Sequence, residues 1–493
     1  PFLISIISET ALYILSNLWR YLFILLIPLV RGLYYVVINS FSLTNGFQFA
    51  VNISRWVQGA WMDILFLLAF LSLGILLWVT FTVEVSEDGL LVNRGIFRRE
   101  TSFLPASRYS CVSLLAPLRL RLFGAVYLRI DTPGGGLQNA DLQVMLRKKD
   151  CQKIVRMLQV PQGLTPLSPM REYTPKNSYV FLLAMITSNS FAGMLLISTF
   201  ITQVGNLLGE QFSEMIYGTF ENVARTLAFG VPPAAFAAAC ILFFGYLCAF
   251  VASLARHANF HVLRRQNMLE IQAGLLTKRT YRIQTEKIGY LDIRRSLITC
   301  ILGVYSIFLS TVGYGKFKDD VSALIPCVRK KKLQHSLHLL LPEYHVSPRT
   351  ICPHRLRSAF RYTWRSVAVL IAVQVARKIL CILFPGWIDL IAWVGFMATC
   401  PLIWLLIVKL IDLNTAGISC EQDCYTLRYS KGFSLHQVII RPQRIAKIKI
   451  VQSILQKRTG RCDVYVFSYS EGRQLHHVRD LNREQAEKLL GIE

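Results

Sequence analysis

Ionisable side chains inside apolar stretches are the most chemically pointed feature of this sequence. Arg31 follows Pro28 within one stretch, Arg377 and Lys378 interrupt another, and Asp63 and Asp389 stand near the starts of two more. A charge is costly in hydrocarbon, so such residues pair, reach toward water or line a polar path. The spacing suggests Arg31 with Asp63 and Lys378 with Asp389, and structural pairing or snorkelling is the favoured reading. The alternative is a polar path through the membrane, with Ser188-Asn189-Ser190 and a kink at Pro232-Pro233 as further lining. A second cationic set lies in polar segments. Arg329-Lys330-Lys331-Lys332 stands where a helix should begin, against the helix dipole. Lys447 and Lys449 fall on one side of the period-2 run Arg444 to Ile450, a strand pattern with one basic face, and with Arg444, which opens the run, they are candidate lipid or partner contacts. Beside an anionic leaflet each cation is worth about 1 kcal/mol. For the four-residue cluster a solvated, topology-setting role is favoured over headgroup contact.

Other chemistry finds little support. His257 and His261 have i,i+4 spacing but no acidic partner follows. Cys420 and Cys424 with His436 lack zinc spacing. Gly134-Gly135-Gly136 follows Pro133 and precedes no Lys-Ser or Lys-Thr, which suits a hairpin loop rather than a phosphate cradle. Neither a His-Glu-x-x-His motif nor a Gly-x-Ser-x-Gly elbow occurs. The expectation is a protein that is not an enzyme, with no cofactor and no metal. Tyr281, Tyr290 and Tyr314 interleave basic residues without a nucleic-acid motif, so no nucleic-acid partner is expected.

The elements that must position these residues follow from composition. Of 493 residues, 53% are hydrophobic and 17% charged, too apolar for an ordinary soluble chain. Six stretches approach membrane-spanning length: Trp19 to Ile38, Trp61 to Val83, Tyr179 to Ile201, Leu227 to Leu254, Ser366 to Phe384 and Trp387 to Ile411. The expected layout is six transmembrane helices in three pairs, residues 1–83, 179–255 and 366–413, each pair followed by a soluble domain, residues 84–178, 256–365 and 414–493. Those three polar segments hold the Lys and Arg excess behind the net charge of +25. Positive charge is retained inside, which places the N-terminus and all three domains in the cytoplasm of a multi-pass cell-membrane protein. The 12 Cys show no disulfide framework, and free thiols are expected.

The polar segments repeat. Gly95, Leu104, Arg108 and Gly124 in the first correspond to Gly274, Ile283, Lys287 and Gly303 in the second, and to Gly432, Ile440, Arg444 and Gly460 in the third. The step from the basic residue to the later glycine is the same in every copy. Strands are expected at Val126 to Ile130 and Val304 to Phe308, and closing helices at Asp150 to Leu158, Lys332 to Leu341 and Asn482 to Leu490, with Asn482 as N-cap.

Ile440-Arg-Pro-Gln-Arg444-Ile445 followed by Val451-Gln-Ser-Ile-Leu-Gln-Lys-Arg-Thr-Gly460 resembles the core motif of the bacterial pleckstrin-homology-like (bPH2) domain. The whole layout is similar to the YdbT-type membrane proteins of Gram-positive bacteria. The resemblance implies three PH-like α+β domains, each a bent sheet or partly open barrel with a C-terminal helix. Leu115-Ala-Pro117-Leu-Arg119 departs from the motif, which puts a shared ligand contact in the first copy in doubt.

The function expected is a membrane scaffold or sensor displaying these domains at the inner leaflet, with an envelope role against membrane-active peptides implied by the resemblance. A transporter or export component for a small molecule, peptide or lipid is the alternative. Expected partners are membrane lipids with anionic headgroups, further copies of the chain, or a smaller companion PH-like membrane protein.

Overall fold

The computed structural model describes residues 46–86, 88–94, 99–105, 108–122, 124–133, 141–159, 171–187, 233–312, 314, 323–421, 423–470 and 472–491, with residues 30, 32 and 34. The chain divides into two compact units, residues 1–109, 116–129 and 142–164 in one, and residues 110–115, 130–141 and 165–493 in the other.

The smaller unit contains helix α1 (Gly46–Val79) and an antiparallel sheet of β1 (Thr82–Val85), β2 (Gly89–Arg94) and β3 (Glu100–Pro105), in that order. β3 forms one edge of this sheet. Strand β4 (Cys111–Pro117), whose residues 111–115 belong to the larger unit, is followed by the short helix α2 (Leu118–Leu122), β5 (Ala125–Asp131), β6 (Leu142–Arg147) and helix α3 (Lys148–Gln159).

In the larger unit, β7 (Arg171–Tyr173) and helix α4 (Asn177–Thr187) come first, and helix α5 (Pro233–His257) leads into one succession of elements that then recurs. In its first occurrence this is β8 (His261–Arg265), β9 (Met268–Ala273), β10 (Thr277–Gln284), β11 (Tyr290–Ser296), short helix α6 (Leu297–Ile301), β12 (Val304–Ser310), β13 (Ala323–Arg329) and closing helix α7 (Lys330–Leu340). After helices α8 (Arg355–Leu383) and α9 (Ile388–Thr415), the same order returns as β14 (Gly417–Glu421), β15 (Cys424–Lys431), β16 (Ser434–Ile440), β17 (Ile445–Val451), α10 (Ile454–Arg458), β18 (Arg461–Ser470), β19 (Gly472–Asn482) and α11 (Arg483–Leu490).

Local sequence explains the matching turns. Ser296 and Ser453 occupy the N-caps of α6 and α10, each in a capping box, with Thr299 or Gln456 reaching back to the cap amide. Gly303 and Gly460 then turn the chain at φ of 66° and 62°, the left-handed region that glycine enters without steric cost. Asn482 caps α11 by accepting from the Gln485 amide at 3.3 Å. Each closing helix buries one face: Leu333, Leu337 and Leu340 of α7 join the core of Ile271, Ile283 and Leu291, and Ala486 and Leu490 of α11 join that of Leu427, Val464 and Leu481.

The sheets do not stop at the end of a repeat. β11 pairs with β12 on one side and with β16 on the other, in antiparallel register from Tyr290↔Ile440 to Ser296↔Ser434. The result is a six-stranded sheet in the order β13-β12-β11-β16-β15-β14. Residues 111–115 of β4 take the same place beside β10, and Cys111 enters the adjoining core. The third sheet of this type, β17-β18-β19, leaves β17 at its edge.

The expectation of six transmembrane helices is corrected. Two helices among the described residues, over Arg357–Leu383 and Val394–Thr415, are long and apolar enough to cross a membrane. Much of the remaining described chain is β-sheet. Hydropathy alone does not separate lipid-facing helices from helices packed on protein. Within the expected third span, the described helix α4 ends at Thr187 and buries Leu183 against Val304, Phe308 and Cys327. Pro233 is the first described residue of α5, and Pro232 lies outside the described residues. The first expected span, apart from residues 30, 32 and 34, and Ser188-Asn189-Ser190 lie outside the described residues. By contrast, α8 and α9 turn their apolar side chains outward, with Ile382 77% and Phe396 58% exposed, as a lipid-facing pair would.

Candidate functional site

The first three turns of α8 carry Arg357, Arg361 and Arg365 at four-residue intervals, which stacks three guanidinium side chains along one helix face. Phe360 and Trp364 alternate with them. These residues form one wall of a cleft of about 700 Å³, whose other wall comes from α10, β18 and β19: Ser453, Gln456, Arg461, Asp463, His477, Arg479 and Asp480. The cleft therefore lies where α8, a helix long and apolar enough to cross a membrane, meets the last-described PH-like fold.

Two buried carboxylates brace it. Asp463 accepts from Arg361 Nη2 at 3.0 Å, Gln456 Nε2 at 2.8 Å and the Asp480 amide at 2.9 Å. Asp480 accepts from Arg461 Nη1 at 2.7 Å and also from the Ser358 hydroxyl, tying α8 to β19. Burial would raise the Asp463 carboxyl, but His477, the Asp480 amide, Gln456 and Arg361 hold it down at about 2. Tyr362 donates to the Arg479 carbonyl at 3.0 Å and fixes the helix against the sheet.

The carboxylates thus neutralise Arg361 and Arg461. Among the described residues no carboxylate pairs with Arg357, Arg365 or Arg479, so the cleft keeps a cationic surplus. Its apolar rim is exposed, with Phe360 77%, Leu455 75% and neighbouring Ile454 82% accessible. The corresponding short helices also present apolar residues, Leu122 on α2 and Ile301 on α6. α6 packs through Leu297 and Cys300 on Val408 and Trp404 of α9, which places its tip beside the membrane-crossing segment. Guanidinium groups over an apolar rim suit a phosphate attached to acyl chains.

Comparison with known sequences agrees with this architecture. The chain matches the bacterial PH domain family over residues 23–160 and again over 220–341, more than half its length. It belongs to the bacterial PH domain family. This bacterial PH domain protein is also 24% identical over 447 residues to the UPF0699 transmembrane protein YdbT of Bacillus subtilis (strain 168), a match covering 84% of this chain and 85% of that protein. No solved structure matches. With two outward-facing apolar helices and a transmembrane relative, the chain is a membrane protein carrying PH-like folds.

The residues singled out by sequence are not gathered at this cleft. Arg329 is the N-cap of α7 and Lys330, Lys331 and Lys332 form its first turn, all exposed. Arg444 donates to the Glu286 carbonyl and so links the two successive folds of the larger unit. Lys447 and Lys449 stand exposed on the edge strand β17. The Arg377 side chain lies against Gly395, inside the contact between α8 and α9, while Lys378 is exposed. Arg31, and the side chains of Asp63 and Asp389, lie outside the described residues, as does the loop at Gly134. His257 and His261 part ways, the first to the Ser253 carbonyl at 2.8 Å and the second to Thr174 at 3.3 Å. Cys424 meets the Glu343 carbonyl while His436 meets Asp292. Among the described residues no group of three or more His, Cys, Asp or Glu could hold a metal ion.

The cleft arginines were missed because the fifth apolar stretch was begun at Ser366, which left Arg357, Arg361 and Arg365 at the end of the soluble segment 256–365. Their i,i+4 ladder, read together with the aromatic residues between them, was the available signal.

Proposed function

We propose that this protein is a non-enzymatic membrane scaffold whose PH-like folds sit on the cytoplasmic leaflet, with the cleft at the foot of α8 receiving an anionic phospholipid headgroup. The observation that carries this reading is the unneutralised set of Arg357, Arg365 and Arg479 beside an exposed apolar rim at the start of a membrane-crossing helix. A headgroup phosphate would meet the guanidinium groups while the acyl chains follow Phe360, Trp364 and Leu455 into the bilayer. The cytoplasmic placement draws its support from the net charge of +25, since Lys and Arg are retained on that side.

Titration of the detergent-solubilised full chain with short-chain phosphatidylglycerol, against phosphatidylcholine as control, tests the proposal. Binding selective for the anionic lipid is expected. The triple variant Arg357→Gln, Arg365→Gln, Arg479→Gln should weaken it by up to roughly a hundredfold at low salt, from about 1 kcal/mol per cation. Equal affinity for the two lipids, or unchanged binding by the triple variant, would remove the headgroup assignment.

A further inference from the structure

An edge strand offers a row of backbone donors and acceptors to any strand that can reach it. In the larger unit two such edges are already filled in the same way. The third strand of one fold, β10 or β16, is covered by the fourth strand of the fold before it, β4 or β11. β17 is the corresponding fourth strand of the next fold, and among the described residues nothing pairs with its outer edge. β3 is the corresponding third strand of the first fold, and it too ends its sheet.

The correspondence extends to individual residues. Ser296 and Ser453 cap equivalent helices, and Gly303 and Gly460 turn equivalent chains, so Asp292 of β11 corresponds to Lys449 of β17. Ile440 of β16 corresponds to Leu104 of β3, which aligns His436 with Glu100. Across the filled seam, Asp292 and His436 are diagonal neighbours and touch at 2.9 Å. The equivalent pair across a β17–β3 seam is Lys449 with Glu100, an acid and a base with their sides exchanged. Lys449 and Glu100 are both exposed.

We infer that β17 of one molecule pairs antiparallel with β3 of a second copy, in the register Lys447↔Leu104 and Val451↔Glu100, joining copies head to tail. The contact is heterologous, so it extends into a chain or closes into a ring. It does not depend on the headgroup cleft, which lies on other residues.

The test is the mass of the full chain in detergent, by mass photometry over a concentration series. The wild type should associate. Lys449→Glu and Glu100→Lys should each place like charges across the seam and weaken association by roughly tenfold. An equimolar mixture of the two variants should restore it, because every joint between unlike chains then carries opposite charges. A wild type that stays a single chain throughout overturns the proposal. So does association that survives both variants, or that responds to Lys449→Glu alone, the result expected if β17 met another β17. Unchanged thermal unfolding of each variant separates a lost seam from a lost fold.

Discussion

β11 and β17 have the same local design and opposite surroundings. Each runs into a serine-capped short helix and a left-handed glycine, yet β11 is enclosed between β12 and β16 while β17, among the described residues, has β18 on one side only. The side chains match the surroundings. Where β11 has Asp292, buried and bonded to His436 and Arg294, β17 has exposed Lys449. A buried acid commits a strand to its partner, because leaving the charge unpaired would cost several kcal/mol. An exposed lysine keeps an edge soluble until a matched strand arrives. Strands of common sequence grammar thus become a fixed seam or an open terminus by one charge.

Substitutions can break that contrast. Asp292→Ala should cost about 3 kcal/mol, because it strips His436 and Arg294 of their shared acceptor in a buried site; thermal unfolding of the full chain in detergent measures it. The filled seam should also be acid-sensitive. His476 lies against Tyr290 of β11 and bonds Tyr429 and Ser468, and burial lowers it to about 4. The unfolded chain therefore binds the extra proton as pH falls below about 6.5, and stability drops by roughly 2 kcal/mol between pH 7 and 5. His476→Asn should flatten that slope in a pH series of unfolding midpoints. Asp292 acts lower down. Burial favours its protonated form, but His436 and Arg294 outweigh this and hold the carboxyl below its usual range. Its contribution is complete above about pH 4 and disappears as pH falls through the lowered value. The caps should not distinguish the strands: Ser296→Ala and Ser453→Ala should each cost about 1 kcal/mol. The smallest effect belongs to the open edge, where Lys449→Ala should stay within about 0.5 kcal/mol, since nothing buried loses a partner.

What the sequence disclosed was mostly local. The alternation from Arg444 to Ile450 marked β17, Asn482 marked the start of α11, and the repeated glycines marked the turns, because short-range sterics and capping decide those features. The seam was invisible, since β11 and β16 are separated by two membrane-length helices and the charge pair across it, Asp292 with His436, is recognisable only once the strands are adjacent. Arg444 was read as a lipid or partner contact from its charge, and its bond to the Glu286 carbonyl, a brace between folds, is a position that charge alone does not reveal. Apolar content overstated the membrane part, because Leu183, buried against protein, and Ile382, exposed on α8, look alike in a hydropathy profile. The arginine ladder of α8 was legible in principle, at a boundary drawn a few residues too late.

The seam also fixes an order of events during synthesis. β11 leaves the ribosome long before β16, with Leu297 to Phe433 and the whole α8–α9 hairpin still to be made. At bacterial elongation rates of about 10–20 residues per second, its outer edge waits on the order of 10 s. If α8 and α9 insert in a membrane, they must do so as a hairpin that returns the chain to the side it came from before that wait can end. A fault in insertion would therefore surface as aggregation of a domain that was already translated, some distance from the defect itself.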